Sequence, residues 1–222
     1  QGIGGMAIPD TGYHVAYWIN NVNDTIISNQ DYIGANDLYN IAFWDGTYHA
    51  VTFTAIFEPN SNTIAYVGNT TAADIVQAQG SIANGQATRG VYYQIASGGT
   101  TTGIYRPGYS FLYWTLNADG SGRRFYSGDL VNDFAASNGI PITLFANWQE
   151  LETKVSFGVQ TGGSFTHDDT GATSWTTTIA RVTGEAPTVT AVAANGYHFV
   201  AWLDAASGAQ VSSEAEFTPT RT

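Results

Sequence analysis

The 222-residue chain is 43% hydrophobic, 14% aromatic and only 11% charged, the composition of a folded rather than a disordered protein. Seven Lys and Arg against 18 Asp and Glu leave a net charge of -11, which argues against nucleic acid and against an anionic membrane as partners. No run approaches the roughly 18 apolar residues of a membrane helix, no basic and apolar leader is visible, and the lack of Cys excludes a disulfide framework or a thiolate metal cluster.

In chain order, the first predicted element is Gly12-Tyr13-His14-Val15-Ala16-Tyr17-Trp18, preceded by Met6-Ala7-Ile8-Pro9-Asp10. Aromatic and β-branched residues opened by a Gly predict a strand. Alternation puts Tyr13, Val15 and Tyr17 on one face and Ala16 and Trp18 on the other. A strand apolar on both faces is expected at the centre of its sheet. Asp45-Gly46 reads as a turn, and Val51 to Phe57 alternates as a half-buried strand does. Pro59-Asn60-Ser61-Asn62 reads as a linker, after which Thr63 to Val67 predicts a strand opening a second unit. Thr71 to Gln79 predicts a short helix, with a Thr as its cap and Gly80 as its stop.

The opening pattern then returns as Gly108-Tyr109-Ser110-Phe111-Leu112-Tyr113-Trp114, followed by a hairpin turn over Asn117 to Gly122. A second short helix is predicted around Gly128 to Ala136. Ile142 to Trp148 repeats the closing strand, Gln149-Glu150-Leu151-Glu152 reads as a second linker, and Lys154 to Val159 repeats the opening strand. The third copy is Gly196-Tyr197-His198-Phe199-Val200-Ala201-Trp202, preceded by Ala191 to Asn195 and followed by a turn over Ala205 to Ala209. The fold class predicted is mainly β with short helices (α+β), in tandem units at residues 1–60, 61–150 and 151–222. Units of this size bury only about 60% of their unfolded surface, so close-packed aromatics must supply the cores.

The candidate chemistry is thin, and no catalytic, cofactor-binding or metal-binding residue is predicted. His14 and His198 hold the same place in separate copies with no second His at ligand spacing, which favours ordinary strand positions over metal ligation. His167-Asp168-Asp169 lies between Gly-rich stretches and reads as a polar turn rather than an acid–base or cation site. Asn117 to Gly122 begins like a calcium loop, but its twelfth position is Gly128 where a bidentate Glu is needed. Asp129 and Asp133 read as a solvated face. There is no nucleophile elbow, and no phosphate loop can be built on Lys154, the single Lys. That Lys could cross-link to Asn138, Asn147 or Asn195, although a solvated Lys beside Glu152 is the simpler reading.

Four elements in order, Gly108 to Trp114, Asn117 to Gly122, Gly128 to Val131 and Leu144-Phe145-Ala146-Asn147-Trp148, resemble the Listeria–Bacteroides repeat, the B-repeat of internalin-type surface proteins. The third unit, through Ala191 to Trp202 and Val211 to Pro219, is similar to the divergent B-repeat branch, and the first unit resembles it more loosely. Residues 68–103 depart from the pattern as an insertion. The resemblance implies small β-grasp modules in an elongated array, without catalytic residues, on a secreted or cell-wall-attached bacterial protein. It implies a stalk or spacer. The alternative is an adhesin gripping a host protein or glycan through exposed aromatics, for which Tyr32, Tyr39, Trp44, Tyr48, Tyr92 and Tyr93 are candidates. Neighbouring repeats are the other expected partners; nucleic acid and membrane insertion are not expected. On this alignment the first unit lacks an opening strand and the third a closing strand, so unpaired sheet edges are expected there, as in a fragment cut within repeats.

Overall fold

A computed structural model of the chain describes residues 4–34, 37 and 51–220. Among these the delimited elements are all β-strands, arranged in small sheets, and the chain divides into two compact units. One unit holds residues 1–70, 78–106 and 111–148; the other holds 71–77, 107–110 and 149–222.

The first unit begins with β1 (Gly5–Met6), β2 (Tyr13–Asn20), β3 (Thr25–Ser28), β4 (Tyr32–Ile33) and β5 (Phe53–Pro59). β2 is the central strand of an antiparallel sheet in the order β3-β2-β5, as its two apolar faces predict. The face assignment needs a correction. The register of β2 against β5 jumps between Val15 and Tyr17, and a bulge at Ala16 resets the alternation beyond it.

The chain continues with β6 (Ser61–Val67), β7 (Gly85–Thr88), β8 (Tyr93–Gln94), β9 (Tyr109–Thr115), β10 (Arg124–Phe125), β11 (Leu130–Val131) and β12 (Ile142–Glu150), all in the same unit except for residues 109–110 and 149–150. Five of them form one mixed sheet in the order β10-β9-β12-β6-β7. β6 and β12 run parallel at its centre, with Ile64 opposite Ile142 and Tyr66 opposite Leu144, while β7 lies antiparallel on β6 and β10 on β9. Ile64, Ile95, Trp114, Phe125, Leu144 and Ala146 meet in a core from which water is excluded. The Tyr66 hydroxyl, within hydrogen-bond distance of Tyr93 Oη at 3.0 Å and accepting from Ala96 N at 3.0 Å, is held neutral well above the usual phenol range, chiefly by burial.

The second unit contains β13 (Glu152–Gly158) paired antiparallel with β16 (Ser174–Ala180). A four-stranded antiparallel sheet runs β15 (Thr170–Ala172), β14 (Gly163–His167), β17 (Val189–Ala193), β20 (Glu216–Phe217). β18 (Trp202–Leu203) and β19 (Gln210–Ser212) form a hairpin whose turn contains Gly208 at φ 71°. Phe157, Phe165, Val189 and Trp202 form the core.

Neither predicted helix is present. Over Thr71 to Gln79 the chain turns without forming one, because side chains take the backbone groups a helix would use: Thr71 N donates to Asp74 Oδ2 at 2.7 Å, and Gln77 Nε2 donates to the Thr71 and Asp74 carbonyls. The segment has no apolar stripe to anchor it, and Ile75 is exposed. Around Gly128 to Ala136, tertiary pairing overrides helical spacing. Val131 lies opposite Tyr93, and both Val131 and Phe134 enter the core. The insertion at 68–103 is likewise strand and turn, with a bridge between Gln79 and Tyr105.

The two expected linkers shrink to one residue each, Asn60 between β5 and β6 and Leu151 between β12 and β13. The third copy of the repeated pattern is not the predicted strand either: residues 197–201 lie outside any ladder, and pairing starts only at Trp202.

Candidate functional site

The repeated pattern is built the same way three times. Gly12, Gly108 and Gly196 have φ of 89°, 81° and 85°, a backbone region costly to any residue with a Cβ. Tyr13 N donates to Asp10 O at 2.9 Å and Tyr197 N to Ala194 O at 3.0 Å, so the Gly sits third in a β-turn that demands positive φ. Six residues later each copy places a Trp whose indole N–H donates to a backbone carbonyl. Trp18 reaches Gln30 O at 3.1 Å, Trp114 reaches Ala96 O at 3.0 Å and Trp202 reaches Ala215 O at 3.1 Å. Trp114 and Trp202 are buried and need such an acceptor, which fixes each ring as the anchor of its local core, whereas Trp18 is only partly buried. Around Trp114 lie Tyr66 and Phe111 at ring separations of 4.9 and 4.8 Å; around Trp202 lie Phe157, Phe165, Phe199 and Phe217, all near 6 Å.

The single-residue junctions are pinned. Asn60 is buried, its N–H donates to Gly12 O at 2.8 Å, its carbonyl accepts from Arg89 N at 2.9 Å, and its Nδ2 donates to Ala136 O at 3.0 Å. Asn62 holds Phe134 O through Nδ2 and accepts from Ile140 N through Oδ1. In the second unit Leu151 N donates to Gly108 O and Arg181 N donates to Leu151 O. The Glu150 carboxylate accepts from Val182 N, Thr183 N and Thr183 Oγ1, bonds that hold it below the usual carboxylate range, with the Thr183 backbone bond the largest cause. Sequence reading took these polar stretches as loose connections. The signal available was a pair of Asn residues two apart beside a strand, which fits buried backbone satisfaction as well as it fits a loop.

The structure does not bring the histidines together. His14 is half-buried with Nδ1 3.2 Å from Asn60 Oδ1, and His198 is exposed outside any strand. His167 ends β14, and Asp168 and Asp169, with φ of 45° and 59°, make a two-residue hairpin turn before Thr170, the polar turn that was expected. The His167 ring stacks on Trp175 at 3.9 Å and 4°, an arrangement the sequence did not suggest, and its buried Nδ1 has no hydrogen-bond partner. Among the described residues no three His, Asp or Glu side chains converge as a metal site. Asn117 to Gly122 is a hairpin turn between β9 and β10, with Ser121 N donating to Asp119 Oδ1 at 2.9 Å. Asp129 and Asp133 bind Tyr126 N and Arg123 respectively. Lys154 is exposed opposite Thr178, while Asn138 accepts from Ser61 N and Asn147 donates to Thr115 Oγ1.

Of the aromatic candidates, Tyr32 and Tyr92 are 57% and 65% exposed, Tyr93 packs against the core, and Tyr39, Trp44 and Tyr48 lie outside the described residues, as does Asp45-Gly46. Sequence reading missed Tyr197, 58% exposed at the edge of a cavity in the second unit. That cavity, of about 780 Å³, lies between the end of β13, the β14 and β17 strands and the segment 197–203.

Comparison with known proteins adds one match: residues 153–221 fit the family model of the divergent InlB B-repeat domain. No curated protein and no solved structure matches the chain. The match covers the stretch whose resemblance to the divergent branch rests on Gly196 to Trp202 and Val211 to Pro219. It is similar to a repeat module of bacterial surface proteins, a non-catalytic kind of domain. Among the described residues no helix is long and apolar enough to cross a membrane.

Proposed function

We propose, taking the divergent B-repeat at residues 153–221 as premise, that the whole chain is a run of three such modules, at 1–60, 61–150 and 151–222, serving as a spacer in a secreted or wall-attached bacterial surface protein. The observation that carries this reading is the threefold recurrence of one device: a positive-φ glycine, an aromatic segment, and a Trp that donates its indole N–H to a backbone carbonyl. A β-grasp identity for the middle module is supported by its sheet, in which the first and last strands, β6 and β12, form a parallel pair with β9 beside β12 and β7 antiparallel on β6. A spacer role is supported by the one-residue junctions, since Asn60 and Leu151 are hydrogen-bonded in place where a flexible tether would be solvated.

Pulling on the full chain in a force spectrometer tests this. Three unfolding steps are expected, each releasing about 20–30 nm of chain at roughly 3.5 Å per residue. One step spanning the whole length defeats the modular reading. The adhesin reading draws support from Tyr32, Tyr92 and Tyr197, whose exposed rings are the kind of surface on which sugars stack. Glycan-array binding lost on Tyr→Ala replacement would favour it over a pure spacer.

A further inference from the structure

The glycines that open the first two copies of the repeated pattern do more than turn the chain. A methyl group placed on Gly12 would lie 2.5 Å from Arg89 Cδ and Nε, and one on Gly108 would lie 2.5 Å from Val182 Cγ2. On Gly196 it would meet nothing among the described residues within 4 Å, although φ there, at 85°, is nearly the same. Left-handed backbone therefore accounts for all three glycines, and close approach of another segment singles out two of them.

The approaching segments reach those two glycines by one geometry, each time inside a single compact unit. In the first unit Ser61 of β6 lies opposite Thr88 of β7, the Asn60 N–H donates to Gly12 O at 2.8 Å, and Asn60 O accepts from Arg89 N at 2.9 Å. In the second, Glu152 of β13 lies opposite Ala180 of β16, the Leu151 N–H donates to Gly108 O at 2.9 Å, and Leu151 O accepts from Arg181 N at 2.7 Å. The junction residue is thus held from both sides by main chain. Behind it stands the glycine; ahead of it stands the residue leaving the strand that pairs with the next opening strand. That exit segment then closes over the bare glycine, through Arg89 in one case and through Val182, next to Arg181, in the other. The side chains have little in common, so the fit is one of backbone to backbone, and a Cβ on the glycine is what it excludes.

We infer that the glycine turn of the repeated pattern is the docking surface for the module that follows it, the partner being the exit of that module's first strand pair, β6-β7 or β13-β16. The turn carbonyl takes the junction N–H, and the missing Cβ leaves room for the exit segment. The inference rests on the modular reading and goes beyond it, because it names the surface by which one module fixes the next and gives the glycine a task besides its φ.

The test is amide hydrogen exchange on the full chain with each glycine replaced by Asn, which accepts positive φ but carries a Cβ. Gly108→Asn is expected to speed exchange at Leu151 and Arg181 about ten-fold or more, because a β-branched neighbour such as Val182 cannot swing aside. Adding Val182→Ala is expected to recover most of that loss, since it removes the obstructing methyl and leaves a Cβ at an ordinary 4.0 Å. Gly12→Asn should act on Asn60 and Arg89 in the same sense but less, as the Arg89 side chain can move, while the Tyr13 amide stays protected in its turn. Gly196→Asn should leave exchange at Tyr197 unchanged. Equal losses at all three glycines, a Gly108→Asn loss that Val182→Ala does not relieve, or unchanged exchange at Leu151 and Arg181 overturns the inference. Should Gly108→Asn fail to fold, folding restored by Val182→Ala supports the docking surface, and a double variant that stays unfolded overturns it. A chain that unfolds in modules under force yet fails this test keeps its modules and loses the docking surface alone.

Discussion

The surroundings of Trp114 and of Trp202 make a similar Trp-centred core to different degrees of closure. Around Trp114, ten further buried residues from β6, β7, β10, β11, β12 and the loops between them shut out solvent. Around Trp202 three further residues are buried, and the supporting aromatics are only partly so. The difference is a single strand. β12 brings Leu144 and Ala146 into the core and covers β6 and β9 at once, and no described strand does this for β13 and residues 197–201. A core of this size depends on that last layer more than on any pair of rings, since burial scales with the surface the final strand removes from water.

The largest expected effect breaks the comparison at its centre. Trp114→Ala should cost about 4 kcal/mol and Trp202→Ala about 2–3 kcal/mol, because a cavity in a sealed core cannot be relieved by water or by collapse of an open edge. Urea denaturation followed on each variant measures both, and equal losses would mean that closure contributes little. Asn62→Thr is the next. It puts into β6 the residue type that β13 carries at Thr153, and leaves Phe134 O and Ile140 N without their partner. A loss of about 2 kcal/mol is expected in the same assay, since the approach to β12 depends on those two bonds.

The smallest effect concerns pH. Glu150 titrates below its ordinary value because Thr183 and Val182 donate to its charged form. The stability this brings is therefore fully present above the ordinary Glu range and is lost as pH falls through the lowered folded value. In acid titrations of the melting midpoint, Glu150→Gln should flatten the second unit's profile in that window and leave the rest of the curve unchanged. A variant with the same acid slope would show that Glu150 does not hold the Val182–Thr183 turn.

Much of this architecture was legible from the chain alone. The strands β2, β5, β6, β9, β12 and β13, and the turns at Asn117 to Gly122, Asp168-Asp169 and Ala205 to Ala209, follow from alternation, aromatic content and the placing of Gly, Asn and Asp. Those signals are local, so a single sequence carries them. The helices expected at Thr71 to Gln79 and Gly128 to Ala136 failed because helical spacing is a weak preference, easily outbid by an Asp carboxylate capping its own turn or by a partner strand such as β8.

What the residues determined by themselves is the repeat: a glycine that must turn left-handed, a segment that prefers to be extended, and an indole that must find a carbonyl. Whether that extended segment becomes a strand was decided only by the tertiary structure. Gly196 to Trp202 has nearly the composition of Gly12 to Trp18, yet one lies outside a ladder and the other is central in a sheet. A strand is completed by its neighbour, so its hydrogen bonds belong to a pair of segments and cannot be read from either one alone.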